Sequence, residues 1–321
     1  MKTCENPGLK VGLVDVDGHN FPNLALMKIS AWHKQQGHSV EWYDPMFSGH
    51  MNRVYASKIF SFSPDYPYYI DADEIITGGS GYCIELENGR EVYRKERDEN
   101  LPPEIEHIYP DYTIYPQFTK DTAYGRLSMG CPRNCGFRHT GEKDGRQARK
   151  VADLEEFWRG QKNIVLLDQN ILACQGWGGM LQQLIDSGAT VEFNGGLDIR
   201  MMTEEKAEMV TRIKQKIVHF AWDRYQDKEF ILPKFKMFKE ISGFSERKMI
   251  VYTIVNYDTT LKQDLERIYT LRELGYWAYV MIYNKDSLPR GHVYRKLQRW
   301  VNNRFIFAKC KTFEEYLENK R

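Results

Sequence analysis

The chain has almost no net charge: 45 Lys and Arg stand against 44 Asp and Glu over 321 residues, a formal +1 at neutral pH. Such a balance generates no long-range field to draw in nucleic acid or an anionic membrane, so neither is an expected partner and any basic patch has to be local. Cysteine is scarce, and the positions 4, 83, 131, 135, 174 and 310 are too scattered for a disulfide framework. Only Cys131 and Cys135 are near enough in sequence to share chemistry. No apolar run approaches a membrane span, and the opening MKTCENPGLK lacks the apolar stretch of a secretory signal, so the expected location is the cytoplasm. No Gly-x-Gly-x-x-Gly follows the first strand, which removes dinucleotide binding in its usual manner.

What is present is the composition of a folded globular protein, 42% hydrophobic and 13% aromatic. The valine-rich run 9–17 reads as a strand, 23–36 as a helix closed by Gly37, and 39–43 as a second strand, which together make one βαβ unit. A helix is expected over 51–62 and a third strand over 73–77, ending in Gly78-Gly79-Ser80-Gly81. These strands predict a small Rossmann-like parallel sheet. Residues 82–122 are rich in Pro, Tyr and charge and show little periodicity, so the domain boundary is placed near 120: residues 1–120 form the first domain and its connecting region, and 121–321 the second.

In the second domain apolar strands are expected at 125–129, 163–167, 190–193, 217–222, 248–255 and 277–283. Amphipathic helices are expected around 153–159, 180–186, 203–214, 228–242, 261–274 and 292–301. Six strand-helix repeats argue for a parallel sheet coated by helices, either flat or curled into a partial barrel. In both cases polar groups that follow the strands gather at the carboxyl ends. Phe235, Met237, Phe238 and Ile241 read as the buried side of a helix, and the basic residues beyond Arg295 as a solvated face.

The loop after the first of these strands reads Ser-Met-Gly-Cys-Pro-Arg-Asn-Cys-Gly-Phe-Arg-His from Ser128 to His139. Two cysteines four apart, amid glycines that let backbone approach a ligand, suit a metal or cluster. The loop resembles the cluster-binding loop of radical S-adenosylmethionine proteins, in which Cys-x3-Cys-x2-Cys follows the first strand of a partial (β/α)6 barrel of the TIM type. The resemblance implies an enzyme that uses a 4Fe-4S cluster to cleave S-adenosylmethionine reductively and modify a substrate, which stays unidentified. The third cysteine position is Arg138, and a guanidinium has no lone pair for iron. Three states of the metal site therefore stay open: a cluster held by Cys131, Cys135 and a substitute such as His139, zinc at those same groups, or a degenerate site. With the last, the chain is a non-catalytic barrel used for binding or scaffolding.

The same resemblance implies that S-adenosylmethionine lies across the strand ends, where Asp168, Asn170, Asp198, Arg200, Asp223 and Asn256 are candidate contacts. Arg200 suits a carboxylate, with a simple Asp198–Arg200 pair as the structural alternative. Trp222 lines the cavity or belongs to the core. In the first domain Asp17-Gly18-His19-Asn20-Phe21-Pro22 nearly spells the Asp-x-His-x-x-Gly of cobalamin-binding domains, with Pro22 where the glycine belongs. That departure stiffens the turn and removes a backbone donor, so a cobalamin-free domain is the expectation.

Overall fold

The computed structural model describes residues 8–18, 20–87, 90–133, 135–137 and 139–319. It divides into two compact units, Met1–Val165 and Leu166–Arg321. Among the described residues no helix is long and apolar enough to cross a membrane.

The first unit is built on a four-stranded, all-parallel sheet of β1 (Lys10–Asp15), β2 (Ser39–Trp42), β3 (Met51–Ser57) and β4 (Ala72–Gly78), in the order β2-β1-β3-β4. The helix Leu24–Gln35 connects β1 to β2, and the Asn23 side chain caps it by accepting from the Leu26 N–H at 3.2 Å. Val11, Leu13, Leu26, Ile29 and Tyr55 form the core between that helix and the sheet. The helix expected over 51–62 is a strand instead. Met51, Val54 and Tyr55 lie at helical spacing, but 54–57 are buried without alternation, and between β1 and β4 only a strand satisfies the backbone of both neighbours.

The boundary between the units falls later than composition suggests. The segment after β4, which contains the hairpin β5 (Ile84–Glu87) and β6 (Arg90–Tyr93), folds back onto the first sheet. There Trp42 Nε1 donates to the Ile114 carbonyl at 3.3 Å and Tyr115 OH to Asp15 at 2.6 Å, while Lys28 Nζ donates to Glu106 Oε1 at 2.8 Å. The strand expected over 125–129 is broken in two. β7 (Thr122–Gly125) ends where the Phe157 ring covers Gly125 so closely that a Cβ there would sit 2.2 Å from it. The chain then turns into β8 (Ser128–Met129), antiparallel to β9 (Arg149–Lys150). The helix expected over 153–159 is a single 3-10 turn, Leu154–Glu156. β10 (Asn163–Leu166) lies beside β7.

In the second unit β11 (Thr190–Phe193) is followed by β12 (Val218–Ala221), β13 (Met249–Val255) and β14 (Trp277–Ile282). The last three are parallel and adjacent in chain order. A parallel bridge between Leu197 and Phe220 extends the series after β11. Helices Trp177–Ser187, Glu204–Arg212, Lys228–Ser242, Leu261–Glu273 and Val293–Asn302 bear out five of the six expected in this part of the chain. Phe235 and Phe238 are fully buried against Phe220 and Tyr276, with ring centroids 4.9 Å apart for Phe220–Phe238 and for Phe235–Tyr276. Trp222 is core as well, its Nε1 donating to the Arg224 carbonyl at 2.9 Å.

Candidate functional site

A cavity of about 590 Å³ opens in the first unit beside the helix Leu24–Gln35. Its floor is apolar, from Leu26, Ile29 and Ile76, and Ser57, Thr77, Gly78 and Gly79 line it at the carboxyl ends of β3 and β4. A side chain at Gly78 would meet nothing within 4 Å, so an incoming group can lie directly against the backbone there. Gly79, at φ 97, is needed for a different reason: a Cβ would sit 2.4 Å from the Lys58 carbonyl oxygen.

The loops around this end of the sheet are tied together. Asp17 of the near-motif accepts from the backbone N–H groups of Ile59 and Phe60, the latter at 3.3 Å, and Asn23 Nδ2 donates to Ser57 Oγ at 2.8 Å. They also present apolar surface to solvent, with Phe21, Ile59, Phe60 and Phe62 all exposed and the last two rings stacked at 5.1 Å. His19 lies outside the described residues.

The cysteine loop supplies part of the cavity wall. β8 and β9 close it, the Cys131 N–H donates to the Gly145 carbonyl at 3.0 Å, and Gly130 takes φ 91 against the Gln147 backbone. Arg126 and Met129 from its entry and Lys143 and Asp144 from its exit line the cavity. Lys143 ion-pairs with Asp98, which also accepts from Tyr93 OH at 2.8 Å, and its Nζ lies 3.9 Å from the buried Cys83 sulfur. Burial pushes the Cys83 thiol up. Burial likewise raises the Asp144 carboxyl, against the opposing pull of Arg126 and Lys143. Across the cavity Lys28 is held below the ordinary lysine value by burial, with Glu106 opposing.

Cys131 and Cys135 are both partly exposed, and His139 sits 3.4 Å from Glu91 and 3.4 Å from Glu142. Arg138 lies outside the described residues. Among the described residues no three His, Cys, Asp or Glu side chains are gathered as metal ligands.

In the second unit the structure brings together three of the expected cofactor contacts. Asn170 Nδ2 donates to Asp198 at 3.0 Å, Asp198 accepts from Arg200 Nε at 2.7 Å, and Arg200 reaches Asp227 at 3.2 Å. Sequence reading missed Asp227, whose only signal is its place just before the helix Lys228–Ser242. Asp168 is buried, and its carbonyl oxygen would lie 2.3 Å from a Cβ at Gly195, so the Gly195 backbone packs directly on it. Asp223 and Asn256 stand at their own strand ends: the Asp223 carbonyl accepts from Arg267 at 3.0 Å, and Asn256, at φ 63, donates to the Tyr283 carbonyl at 3.1 Å.

No family model matches the chain, and no curated protein matches it by sequence. Its fold is similar to that of a solved structure, the radical S-adenosylmethionine methyltransferase TsrM from Kitasatospora setae with cobalamin and a 4Fe-4S cluster bound. The TM-score is 0.58 at 10% identity, over 85% of this chain and 75% of that one. The likeness overturns the expectation of a cobalamin-free first domain, because it reaches a protein of similar fold that holds cobalamin.

Proposed function

We propose that this chain is a radical S-adenosylmethionine-type protein whose first unit binds cobalamin and whose chemistry is cobalamin-dependent methyl transfer. The cavity carries the reading. It lies at the carboxyl ends of a parallel sheet, where doubly wound folds take ligands, and has an apolar floor and an open backbone at Gly78. Ser57, Thr77, Gly78 and Gly79 would hold the narrow tail of the cofactor, and the exposed Phe21, Phe60 and Phe62 would lie against its apolar ring system. When bound, cobalamin supplies alkyl-transfer chemistry at cobalt.

The donors for a cluster do not match as well. The loop offers two thiols, and its third position is a residue that cannot ligate iron. Asn170, Asp198 and Arg200 are the candidate contacts for S-adenosylmethionine in the second unit, and its strand series fits a partial barrel.

Titration with hydroxocobalamin, followed by its visible spectrum and by calorimetry, tests the proposal: saturable one-to-one binding is expected, weakened at least tenfold by Gly78→Val, which would place a side chain in the open space. An absence of binding by the wild-type protein would remove the assignment. A parallel iron and sulfide assay after anaerobic reconstitution addresses the loop, where Arg138→Cys is expected to raise iron content. Equal and full occupancy in both proteins would mean that another residue already completes a site.

A further inference from the structure

Two histidines and a tyrosine behind the cavity belong to no part of that reading. His33 is fully buried on the helix Leu24–Gln35, and His38 follows in the turn toward β2. Their Nδ1 atoms are 2.7 Å apart, and His33 Nε2 lies 3.0 Å from the hydroxyl of Tyr55 on β3. Tyr55 lines the cavity together with Trp32 and Arg53.

We propose that His38, His33 and Tyr55 form a tautomer-coupled relay that sets whether the Tyr55 hydroxyl donates to or accepts from the occupant of the cavity. The inference rests on the cavity being a ligand site, the reading given above. A contact between two Nδ1 atoms at 2.7 Å needs one proton between them. If it resides on His38, His33 accepts at Nδ1 and carries its own proton on Nε2, which donates to the Tyr55 oxygen. The Tyr55 proton then turns outward and can donate. If it resides on His33, His33 Nε2 accepts the hydrogen bond of the Tyr55 hydroxyl, whose proton stays on the phenol, and the phenolic oxygen faces outward as an acceptor. Each arrangement excludes the other, because neutral imidazole has one donor and one acceptor.

Protonation of His38 selects the first arrangement, since the imidazolium has a proton on Nδ1. His33 itself resists charging: burial lowers it to about 4, assisted by His38 and by Arg53. The groups facing the pair are Trp32 on the same helix, with its ring edge-on to His33 at 4.8 Å, and Tyr55 and Arg53 from β3. Arg53 is itself neutralised by Glu74 of β4 at 2.6 Å and reaches the Tyr55 oxygen at 3.4 Å, a donor suited to the second arrangement. His38, only partly exposed, thus imposes its charge state on a buried hydroxyl without a charge entering the core. An anionic acceptor such as the phosphodiester of cobalamin is favoured when His38 is charged.

Nitrogen-15 NMR of the full chain labelled at histidine, with His38→Gln to assign the pair, tests the relay without any ligand. When the pair takes up one further proton, His33 should stay neutral and move its own proton from Nδ1 to Nε2. In His38→Gln, whose amide does not titrate, His33 should hold one tautomer throughout. A single His33 tautomer across the wild-type titration, or protonation of His33 in that range, overturns the relay. Hydroxocobalamin binding adds the cavity arm: Tyr55→Phe should weaken it about tenfold where His38 is charged and less than about twofold where it is neutral. An equal loss at both ends overturns control of the cavity by the pair. If the wild-type protein binds no hydroxocobalamin, the cofactor reading fails and the NMR result alone decides the relay.

Discussion

Arg267 and Asp264 are both completely buried and meet at 2.5 Å. The guanidinium also donates to the carbonyls of Trp222 at 2.6 Å and Ile254 at 2.7 Å, so one side chain holds the carboxyl ends of β12 and β13. Taking away one partner strands the other charge in a dry interior. Arg267→Met is therefore expected to cost about 3–5 kcal/mol in denaturant unfolding, and the double variant with Asp264→Leu less than the sum of the two single changes. His33 gives a pH dependence of known sign. Its folded value of about 4 lies below the ordinary 6.5, so the unfolded chain binds the extra proton between those values. Stability from this group is full above pH 6.5 and is lost as pH falls toward 4, by about 3 kcal/mol in all. His33→Phe should flatten that part of the stability profile measured from pH 7 to 4, and an unchanged slope would remove His33 as its source.

Among the elements, those with one clear period were legible. The helices Lys228–Ser242 and Leu261–Glu273 and the strands β11 to β14 lie where apolar spacing and glycine or threonine boundaries place them. β3 was not legible, because a short apolar run buried on both faces lacks the alternation that marks a strand, and its apolar residues happen to match a helical face. The break after β7 was hidden for another reason: it depends on Phe157, far along the chain, lying over Gly125. Glycines separate local from tertiary demands in a testable way. Gly178 lies in the helix Trp177–Ser187 with nothing within 4 Å of a Cβ, so Gly178→Ala should stabilise by about 0.5 kcal/mol. At Gly195 the same change drives a methyl into the Asp168 backbone, which cannot swing aside, and should destabilise by about 2 kcal/mol in the same denaturation assay.

At the scale of the whole chain, the sequence displayed the chemistry-bearing loops but not the space they enclose. The Cys131–Cys135 spacing and the Gly78-Gly79 pair were readable as motifs. The cavity was not, because it is assembled from β3, β4, the segment near Leu101 and the ends of the cysteine loop, and no local pattern encodes that meeting. A ligand that binds there must stabilise the folded form by linkage. With hydroxocobalamin at about a hundredfold over its dissociation constant, unfolding should become harder by about 2.7 kcal/mol, and a tenfold weakening by Gly78→Val should cut that gain to about 1.4 kcal/mol in the same melt.

Met129, Lys143 and Asp144 belong at once to the cysteine loop and to the wall of the cavity. A ligand entering past such a wall has to wait for the contacts that close it to open, so its entry would be a matter of timing as well as fit. At low ligand the approach to equilibrium should quicken with concentration, and at high ligand it should level off at the rate at which Lys143 leaves Asp98 and the loop swings clear. Lys143→Met, which removes that tether, should lift the plateau in stopped-flow mixing, making the cysteine loop a clock for the cavity.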